Sequence, residues 1–491
     1  MKKRLEVIVT ILALLGAAGC NRSDDAGMNT CGVEVEFDGQ TISYCPDNVN
    51  DTTVELNRVQ DEFIWQAMNL FYYWQDAVPF LSDNRFDSYD ELHAFLNDYS
   101  SSEELFESLL VSGDVFSWIV DDYVALEQSF QGTSRSFGYE FRLLRISEGS
   151  SEVFGYVKYV VPGGPAERAN LTRGTLFNKV DGTTLTVDNF ENLLFGRSLY
   201  DLGLASLEED QIISTNEIVT LVSVELTENP IHLSKMIDVD GLKVGYLVYN
   251  QFVDNNQSHR ELNALFEEFR NQGVSDLVLD LRYNPGGALS TTVNLASMIY
   301  SGGNSDTQLG QIIYNSKLGR FFNASFNFNE TLPIQDDEGV VVDNEVLNRL
   351  SLSRVFVLTS GSTASASELL IVSLSPYMEV ITIGTGTVGK NVGSITLYDT
   401  KNTLFRRTRD ADINSNHSYA MQPIISQLAN SDGFSDYAGG LEPDIVIDEK
   451  DFLDDLKPLG DIEEPLLAEA LNLISGAARK APENRIGGDF K

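Results

Sequence analysis

Short apolar runs alternate with helical patterns between Gly241 and Gly476, and this alternation limits the possible folds more than any other feature of the chain. The apolar runs at residues 244–248 and 276–281 are continuous, and each is followed by a segment with helical spacing. Continuous apolar strands separated by helices indicate a mostly parallel sheet with helices on both faces. We therefore predict an α/β core at residues 235–476, with functional groups beyond the carboxyl ends of its strands.

Two smaller regions precede this core. Residues 54–131 have apolar side chains at helical spacing, and Ser88 and Ser101 each stand three residues before a glutamate, as in a capping box. This pattern predicts an N-terminal helical domain. Residues 133–230 instead contain short alternating segments between glycine turns, which predicts a small β-rich domain. A chain of 491 residues is long enough for about three such domains.

The first twenty residues have the composition of a secretory signal. Basic residues at positions 2–4 precede an apolar stretch, and small residues at positions 17–19 precede Cys20. This arrangement resembles a lipobox, in which Cys20 becomes the lipidated first residue; an ordinary signal peptide with an incidental cysteine is the alternative. The resemblance implies a bacterial envelope protein anchored to the bilayer through acylated Cys20, facing the periplasm or the outer surface. Residues 21–53 would then form a tether, and residues 477–491 are predicted to be a flexible tail.

Two further cysteines, Cys31 and Cys45, remain as an even pair in an oxidising compartment if Cys20 is acylated. A disulfide between them would close a short loop and contribute about 3 kcal/mol in the chain-entropy model. Two free thiols are the alternative.

The net charge limits the class of partner. The chain has 34 Lys and Arg against 73 Asp and Glu, which gives a formal net charge of −39. Such a surface repels a phosphate backbone, so nucleic acid is not an expected partner. A soluble surface is sufficient to explain the acidity.

Two strand-to-helix turns in the predicted core carry small residues. They are Asp-Leu-Arg-Tyr-Asn-Pro-Gly-Gly at 280–287 and Thr-Ser-Gly-Ser-Thr-Ala-Ser-Ala-Ser-Glu at 359–368. Free amide groups and the helix dipole at such turns can stabilise negative charge, as an oxyanion hole requires. A serine in the second turn could therefore attack a carbonyl group, if a base removes its proton.

The base could be a histidine or a lysine. His93 lies in the helical region and His232 in a linker, so His259 and His417 are the candidates for a Ser-His pair. Lysine also serves as a base for serine when burial keeps it neutral. Lys390 follows a predicted strand and a glycine-rich turn, at the sheet edge where Ser365 is expected.

The segment Thr-Ala-Ser-Ala-Ser-Glu with the later Gly-Lys pair closely resembles the nucleophile and base segments of the C-terminal-processing, or tail-specific, serine peptidases. The segments at 280–287 and 440–445 resemble further signatures of this family. The resemblance implies a serine endopeptidase with a ClpP/crotonase-like core, Ser365 as nucleophile and Lys390 as general base. Where the family often has glutamine, four residues after the lysine, this chain has Ser394, which leaves the third catalytic member open. Oxyanion-hole amides would come from Ala366 and from Gly286 or Gly287.

The β-rich region resembles the middle of a PDZ domain in the segment Val-Pro-Gly-Gly-Pro-Ala at 161–166 and in Val-Asp-Gly at 180–182. By this likeness, a loop and strand would hold the carboxyl terminus of a protein or peptide substrate as an added strand. A PDZ-shaped domain without a working groove is the alternative. The residues implied in the grip are Phe137, Gly138, Tyr139 and Phe141.

The same sequence also has features that bear on other functions. Residues 384–390 match glycine-rich nucleotide motifs in form, but a strand pattern follows them where a helix is required, so no nucleotide is expected. No cluster has metal-ligand spacing, and the resemblance implies no cofactor. A non-catalytic envelope adaptor with a peptidase-like fold is the alternative function. Ser362, Ser367 and Glu368 are predicted to be helix caps and packing residues.

Overall fold

The computed structural model describes residues 53–336, 340–400, 405 and 413–476, together with the backbone of three short strands at 33–37, 40–44 and 488–489. The predicted signal peptide, lipidated Cys20, the Cys31–Cys45 pair and most of the tether and tail lie outside the described residues. In the part of the chain that is described, no helix is both long enough and apolar enough to cross a membrane.

The N-terminal region is mainly helical, as predicted. The side chains of Ser88 and Ser101 accept hydrogen bonds from the amides of Glu91 and Glu104, at 3.2 and 3.1 Å, so both predicted helix starts are confirmed. The elements are β1 (Val33–Phe37), β2 (Gln40–Tyr44), α1 (Gln60–Phe71), α2 (Tyr89–Asn97), α3 (Ser102–Ser108), β3 (Trp118–Val120) and α4 (Tyr123–Phe130).

One strand interrupts this helical region, which the sequence pattern did not predict. Strand β3 pairs in antiparallel register with residues 420–422 of the later core, Ala420 standing opposite Val120. The apolar core of the helical region also includes side chains from residues 318–425. The helical region is therefore packed into the α/β core and shares its apolar interior with it.

The β-rich region predicted at 133–230 consists of strands with two short helices. Its main sheet has the order β10-β9-β7-β6-β5, and the short strand β26 (Gly488–Asp489) adds antiparallel to β5 at the edge. The elements are β4 (Thr133–Ser136), β5 (Tyr139–Arg145), β6 (Val153–Val160), α5 (Pro165–Arg168), β7 (Leu176–Val180), β8 (Thr183–Thr184), α6 (Phe190–Leu194), β9 (Leu199–Glu208), β10 (Gln211–Val222) and β11 (Val224–Thr227).

The α/β core is built on a six-stranded sheet of order β12-β13-β14-β19-β20-β25. All neighbours except β12 and β13 pair in parallel. The elements are β12 (Ile231–Val239), β13 (Leu242–Tyr249), α7 (Asn256–Gln272), β14 (Asp276–Asp280), α8 (Leu289–Ile299), β19 (Arg354–Thr359), α10 (Ala366–Leu374), β20 (Glu379–Gly384), β25 (Ile445–Val446) and α11 (Pro465–Ser475).

Helices cover both faces of this sheet. Apolar residues of α7, α8 and α10 pack against one face, and those of α11 pack against the other. A second sheet of order β16-β15-β24-β21 lies beside the first group of helices. The remaining elements are β15 (Gln308–Tyr314), α9 (Gly319–Phe322), β16 (Ala324–Asn327), β17 (Thr331–Gln335), β18 (Val341–Val346), β21 (Val392–Ser394), β22 (Leu397–Tyr398), β23 (Ala420–Gln422) and β24 (Ile424–Asn430).

A buried charge cluster joins the β-rich region to the core. Arg282, which is 1% exposed, donates to both carboxylate oxygens of Glu464 at 2.6 and 3.0 Å. Arg173 of the β-rich region donates to Glu449 at 2.6 Å, and the Tyr283 hydroxyl donates to the same carboxylate. Burial alone would raise the pKa of Glu449, but the two arginines together lower that pKa to about 2. The cluster thus holds the turn that follows β14 in a fixed position.

Candidate active site

Two turns meet beyond the carboxyl ends of β14 and β19, as the parallel sheet requires. The Thr363 hydroxyl donates to the Leu281 carbonyl at 2.8 Å. The Ala364 amide and the Ser367 hydroxyl both donate to the carbonyl of Asn284, each at 3.1 Å. These hydrogen bonds hold the turn at 281–288 against the turn at 360–365.

Ser365 occupies a strained position between β19 and α10. Its φ is 55° and its ψ is −113°, in a region that non-glycine residues rarely adopt. Such a conformation costs about 1–3 kcal/mol and persists only where the surroundings enforce it, which is typical of functional sites. The side chain is partly exposed, whereas Ala364 and Ala366 on either side are buried. The backbone therefore presents the Ser365 hydroxyl at the surface of the turn.

Glu368 joins the Ser365 turn to the Lys390 turn. This carboxylate is 0% exposed, and one of its oxygens, Oε2, accepts from the amides of Ser365 at 2.8 Å and Lys390 at 2.9 Å. The other oxygen accepts from the Gly389 amide at 2.6 Å and from the Thr387 hydroxyl at 2.5 Å. Glu368 is thus the helix cap that was predicted, and it also brings the Ser365 and Lys390 backbones onto a single oxygen atom.

Lys390 is held in a partly buried position after β20. Its Nζ lies 5.6 Å from the centroid of the Phe116 ring, and it has no hydrogen-bond or salt-bridge partner among the described residues. Burial lowers the pKa of Lys390, and the negative charges of Asp114 and Glu368 oppose this shift without reversing it. A lysine with a lowered pKa and an unpaired amine has the properties of a general base.

The glycine pair after β14 packs against the Ser365 turn. A Cβ atom added to Gly286, whose φ is 102°, would lie 2.8 Å from the Ala366 nitrogen and from Ser365 Cβ. The Gly286 amide donates to the Asn284 side chain at 2.8 Å. In contrast, the amides of Gly287 and Ala366 have no acceptor within the part of the chain that the structure describes. The residues that directly follow Gly286 and Ser365 in the chain, Gly287 and Ala366, therefore each carry an unpaired amide at this contact.

Ser394, His259 and His417 are the other candidate catalytic residues. Ser394 lies in β21, opposite Ile424, and no hydrogen bond joins it to Lys390 among the described residues. Its catalytic role therefore stays a prediction. The His259 ring lies 2.9 Å from the Thr291 hydroxyl, between α7 and α8. The His417 ring lies 3.0 Å from the Asp399 carboxylate and stacks near the Phe63 ring of α1. Both candidate histidines are thus paired with residues outside the two turns.

The four residues of the predicted peptide grip differ in exposure. Gly138 has a φ of 78° in the turn before β5. Tyr139 is buried and its hydroxyl lies 2.7 Å from that of Tyr200, while the Phe137 ring packs on the Tyr200 ring with centroids 4.1 Å apart. Phe141 is only partly buried. Tyr139 therefore belongs to the interior of the β-rich region, and the role of the other residues as a grip stays a prediction.

The groups at these turns that could take part in chemistry include the Ser365 hydroxyl, the Lys390 amine and the amides of Gly287 and Ala366. Within the described ranges, no group of three or more metal-ligating side chains has the geometry to hold an ion. The sequence did not predict that Glu368 binds the Lys390 amide or that the Phe116 ring lies over the Lys390 amine. For Glu368 there was a usable signal, because a glutamate at the third position of a strongly apolar helix requires buried donors.

Comparison with protein-family models gives two matches. The model described as peptidase family S41 matches residues 243–447, and the model described as the peptidase S41 N-terminal domain matches residues 59–118. Together they cover more than half of the chain. The first match includes every residue of the two turns and Lys390, and the second covers most of the helical region.

Individual relatives agree with these matches. The chain is 24% identical over 294 residues to a Staphylococcus aureus protein named "Probable CtpA-like serine protease", covering 58% of this chain and 48% of that protein. It is 28% identical over 242 residues to the chloroplastic carboxyl-terminal-processing peptidase 2 of Arabidopsis thaliana, covering 47% of this chain and 40% of that one. The chain thus matches about half the length of these relatives or less.

Solved structures extend the likeness to most of the chain. A Bacteroides fragilis protein assigned to the S41 proteases is 27% identical to this chain, with a TM-score of 0.62. The superposition covers 84% of this chain and 97% of the Bacteroides fragilis chain. The photosystem II D1 C-terminal processing protease is 18% identical with a TM-score of 0.50, covering 85% and 98%, and this likeness concerns the fold alone. The expected family resemblance is therefore confirmed, as is an α/β peptidase fold with several sheets.

Proposed function

Because this chain belongs to the peptidase S41 family, we propose that it is a serine endopeptidase in which Ser365 is the nucleophile and Lys390 the general base. The family membership supports a serine-type peptidase as the class of enzyme. The observation that carries the assignment of residues is the Glu368 carboxylate, which binds the amides of both Ser365 and Lys390.

The reaction would begin when the neutral amine of Lys390 takes the proton from the Ser365 hydroxyl. The oxygen of Ser365 then forms a bond to the carbonyl carbon of the scissile peptide. Negative charge develops on the carbonyl oxygen, and the amides of Ala366 and Gly287 are the donors available to it. We favour Gly287 over Gly286 because the Gly286 amide already donates to Asn284.

The second half of the reaction returns the proton. The Lys390 ammonium donates it to the leaving amine as the peptide bond breaks, which leaves an acyl ester on Ser365. Water then forms a bond to the ester carbonyl carbon while Lys390 accepts a proton from it. As the ester bond breaks, Lys390 returns this proton to the Ser365 oxygen, and the acid product leaves. Lys390 alternates between base and acid in this scheme, and its lowered pKa favours the neutral form that starts each cycle.

A fluorophosphonate probe tests this assignment. We expect the wild-type protein to gain one probe per chain at Ser365, detected by intact mass and peptide mapping, and to cleave unstructured protein substrates. The Ser365→Ala and Lys390→Ala variants should lose both activities while retaining their melting temperatures. Ser362→Ala, in the same turn, serves as the matched control. A Lys390→Ala variant with wild-type labelling would refute the Ser-Lys pair, and an unlabelled wild type would favour the non-catalytic adaptor.

We further propose that the β-rich region selects substrates by their carboxyl-terminal tails, as a PDZ-like domain would. Strand β5 lies at the edge of its sheet and already accepts one short antiparallel strand, at Leu144 and Arg145. The rest of that edge, from Tyr139 to Leu143, pairs with no strand on this side among the described residues, and an unpaired strand edge is the requirement for strand addition. Amidation of a substrate's carboxyl terminus should then lower kcat/KM. Equal values for the free and amidated peptides would refute tail selection and leave the Ser-Lys proposal intact.

We also propose that the protein is anchored in the bacterial envelope through acylated Cys20. The support is the sequence before Cys20, since this residue is outside the described part of the chain. Metabolic labelling with an alkyne fatty acid should mark the wild type but not Cys20→Ala. A protein that partitions into detergent without any label would refute the anchor.

A further inference from the structure

A loop of the N-terminal region covers the amine of Lys390. The loop joins α3 to β3, and its Phe116 ring centroid lies 5.6 Å from Lys390 Nζ. Val111 and Ile119, on either side of Phe116, pack against the apolar core of the helical region, but Phe116 belongs to none of the apolar core clusters formed by the described residues. The half-buried ring of Phe116 instead lies over the Lys390 amine.

The loop is fixed firmly at this place. Asp114 accepts hydrogen bonds from the Tyr72 hydroxyl at 2.8 Å and from the amides of Phe116 and Ser117 at 2.9 and 3.0 Å. The Ser117 hydroxyl donates to Asp114 at 2.5 Å and accepts from the Ile424 amide at 2.9 Å. Ile424 pairs in turn with β21, the strand that follows Lys390. The loop that carries Phe116 is therefore bonded to a strand that pairs with the one directly after Lys390.

The electrostatic balance at Lys390 makes water exclusion important. Burial is the largest influence and lowers the pKa of Lys390, whereas the two charged groups that act on it, Asp114 and Glu368, raise that pKa. A ring face attracts an ammonium group by about 0.5–1 kcal/mol at exposed sites, which also favours the charged form. The neutral amine is available near pH 7 only if dehydration exceeds these opposing effects. The ring of Phe116 lies over the amine and supplies apolar surface there.

We propose that Phe116 is a positioning residue of the peptidase, which shields the Lys390 amine from water and so maintains it as a base for Ser365. The N-terminal region is then a part of the active site, beyond its role as a neighbouring domain. This inference rests on the proposed Ser-Lys function.

The test is the pH dependence of probe labelling at Ser365. In Phe116→Ala water reaches the amine, so we expect the apparent pKa of labelling to move upward and the rate at pH 7 to fall by roughly tenfold, with recovery at high pH. Phe116→Tyr retains the ring and should retain the wild-type profile. Val115→Ala alters the neighbouring residue of the same loop, whose side chain is 78% exposed, and should leave the profile unchanged.

Several results would overturn the proposal. They are an unchanged or lowered apparent pKa in Phe116→Ala, and an equal shift in Val115→Ala. If Phe116→Ala does not fold, Phe116→Val shortens the side chain less severely, and its apparent pKa should shift upward by a smaller amount. No shift in Phe116→Val counts against the proposal. Failure of the Ser-Lys function itself is distinct, because Lys390→Ala would then label at the wild-type rate.

Discussion

Replacing Glu368 with glutamine should disconnect the nucleophile from the base. All four groups bound to this carboxylate are donors: the amides of Ser365, Lys390 and Gly389, and the hydroxyl of Thr387. A glutamine in its best orientation keeps its carbonyl oxygen toward Ser365 and Lys390. Its NH2 group must then face the Gly389 amide, a second donor, and the bond to Gly389 is lost.

The size of the effect follows from these bonds. A hydrogen bond to a charged group contributes about 1.5–3 kcal/mol and a neutral one about 0.5–1.5 kcal/mol. Losing the Gly389 bond and converting the Ser365 and Lys390 bonds to neutral ones should therefore cost about 3–5 kcal/mol in total. A loss of this size would raise the equilibrium constant for local opening of the Lys390 turn by about a hundredfold to several thousandfold.

Hydrogen–deuterium exchange with mass spectrometry measures this opening directly. In Glu368→Gln, peptides that contain residues 385–392 should exchange at least a hundredfold faster than in the wild type, and cleavage of protein substrates should be lost. Glu379→Gln, at an exposed position at the start of β20, is the matched control and should change neither quantity. Exchange within tenfold of the wild type would refute the idea that this carboxylate holds the two turns together.

Three further outcomes are expected. Gly286→Ala should reduce probe labelling of Ser365 by more than a hundredfold without loss of the fold, because its Cβ would collide with the Ser365 turn; labelling near the wild-type rate would refute this. The wild-type protein should lose stability as the pH falls from about 4.5 to about 2. The lowered pKa of Glu449 stabilises the folded state fully above the unfolded-state pKa of this group, and this stabilisation is lost as the carboxylate is protonated. In Glu449→Gln, the melting temperature should depend less on pH over this range. The cleavage rate should rise with pH as Lys390 loses its proton, with an apparent pKa below 10.5, and a profile centred near 6.5 would indicate a histidine base instead.

The parts of the fold that local chemistry determines were predicted from the sequence. The helix starts at Ser88 and Ser101 depend on a side chain and an amide three residues apart, so the pattern contains both partners. The strand at Trp118–Val120 was missed because three residues carry too little periodicity, and its partner strand is about 300 residues later. Its existence depends on tertiary pairing.

The candidate site was predictable in the same uneven way. Motif resemblance named Ser365 and Lys390, and their catalytic roles stay predictions. The preference for Gly287 over Gly286 as the proposed oxyanion-hole donor depends on the bond from the Gly286 amide to the Asn284 side chain. The contact of Phe116 with Lys390 joins residues far apart in the chain, and no spacing rule could have found it. Side-chain hydrogen bonds and long-range contacts are set by packing, which a single sequence does not display.

The shared apolar interior of the helical region has a consequence for how the chain is made. Helices α1 and α3 are synthesised early, but their core also contains Leu318, Met421 and Ile425 from much later in the chain. At roughly 5–20 residues per second, at least about 10–40 s of synthesis separate the two sets of residues. The first helices therefore cannot complete their packing as they emerge. The core of the helical region is complete only when residues as late as Ile425 are present.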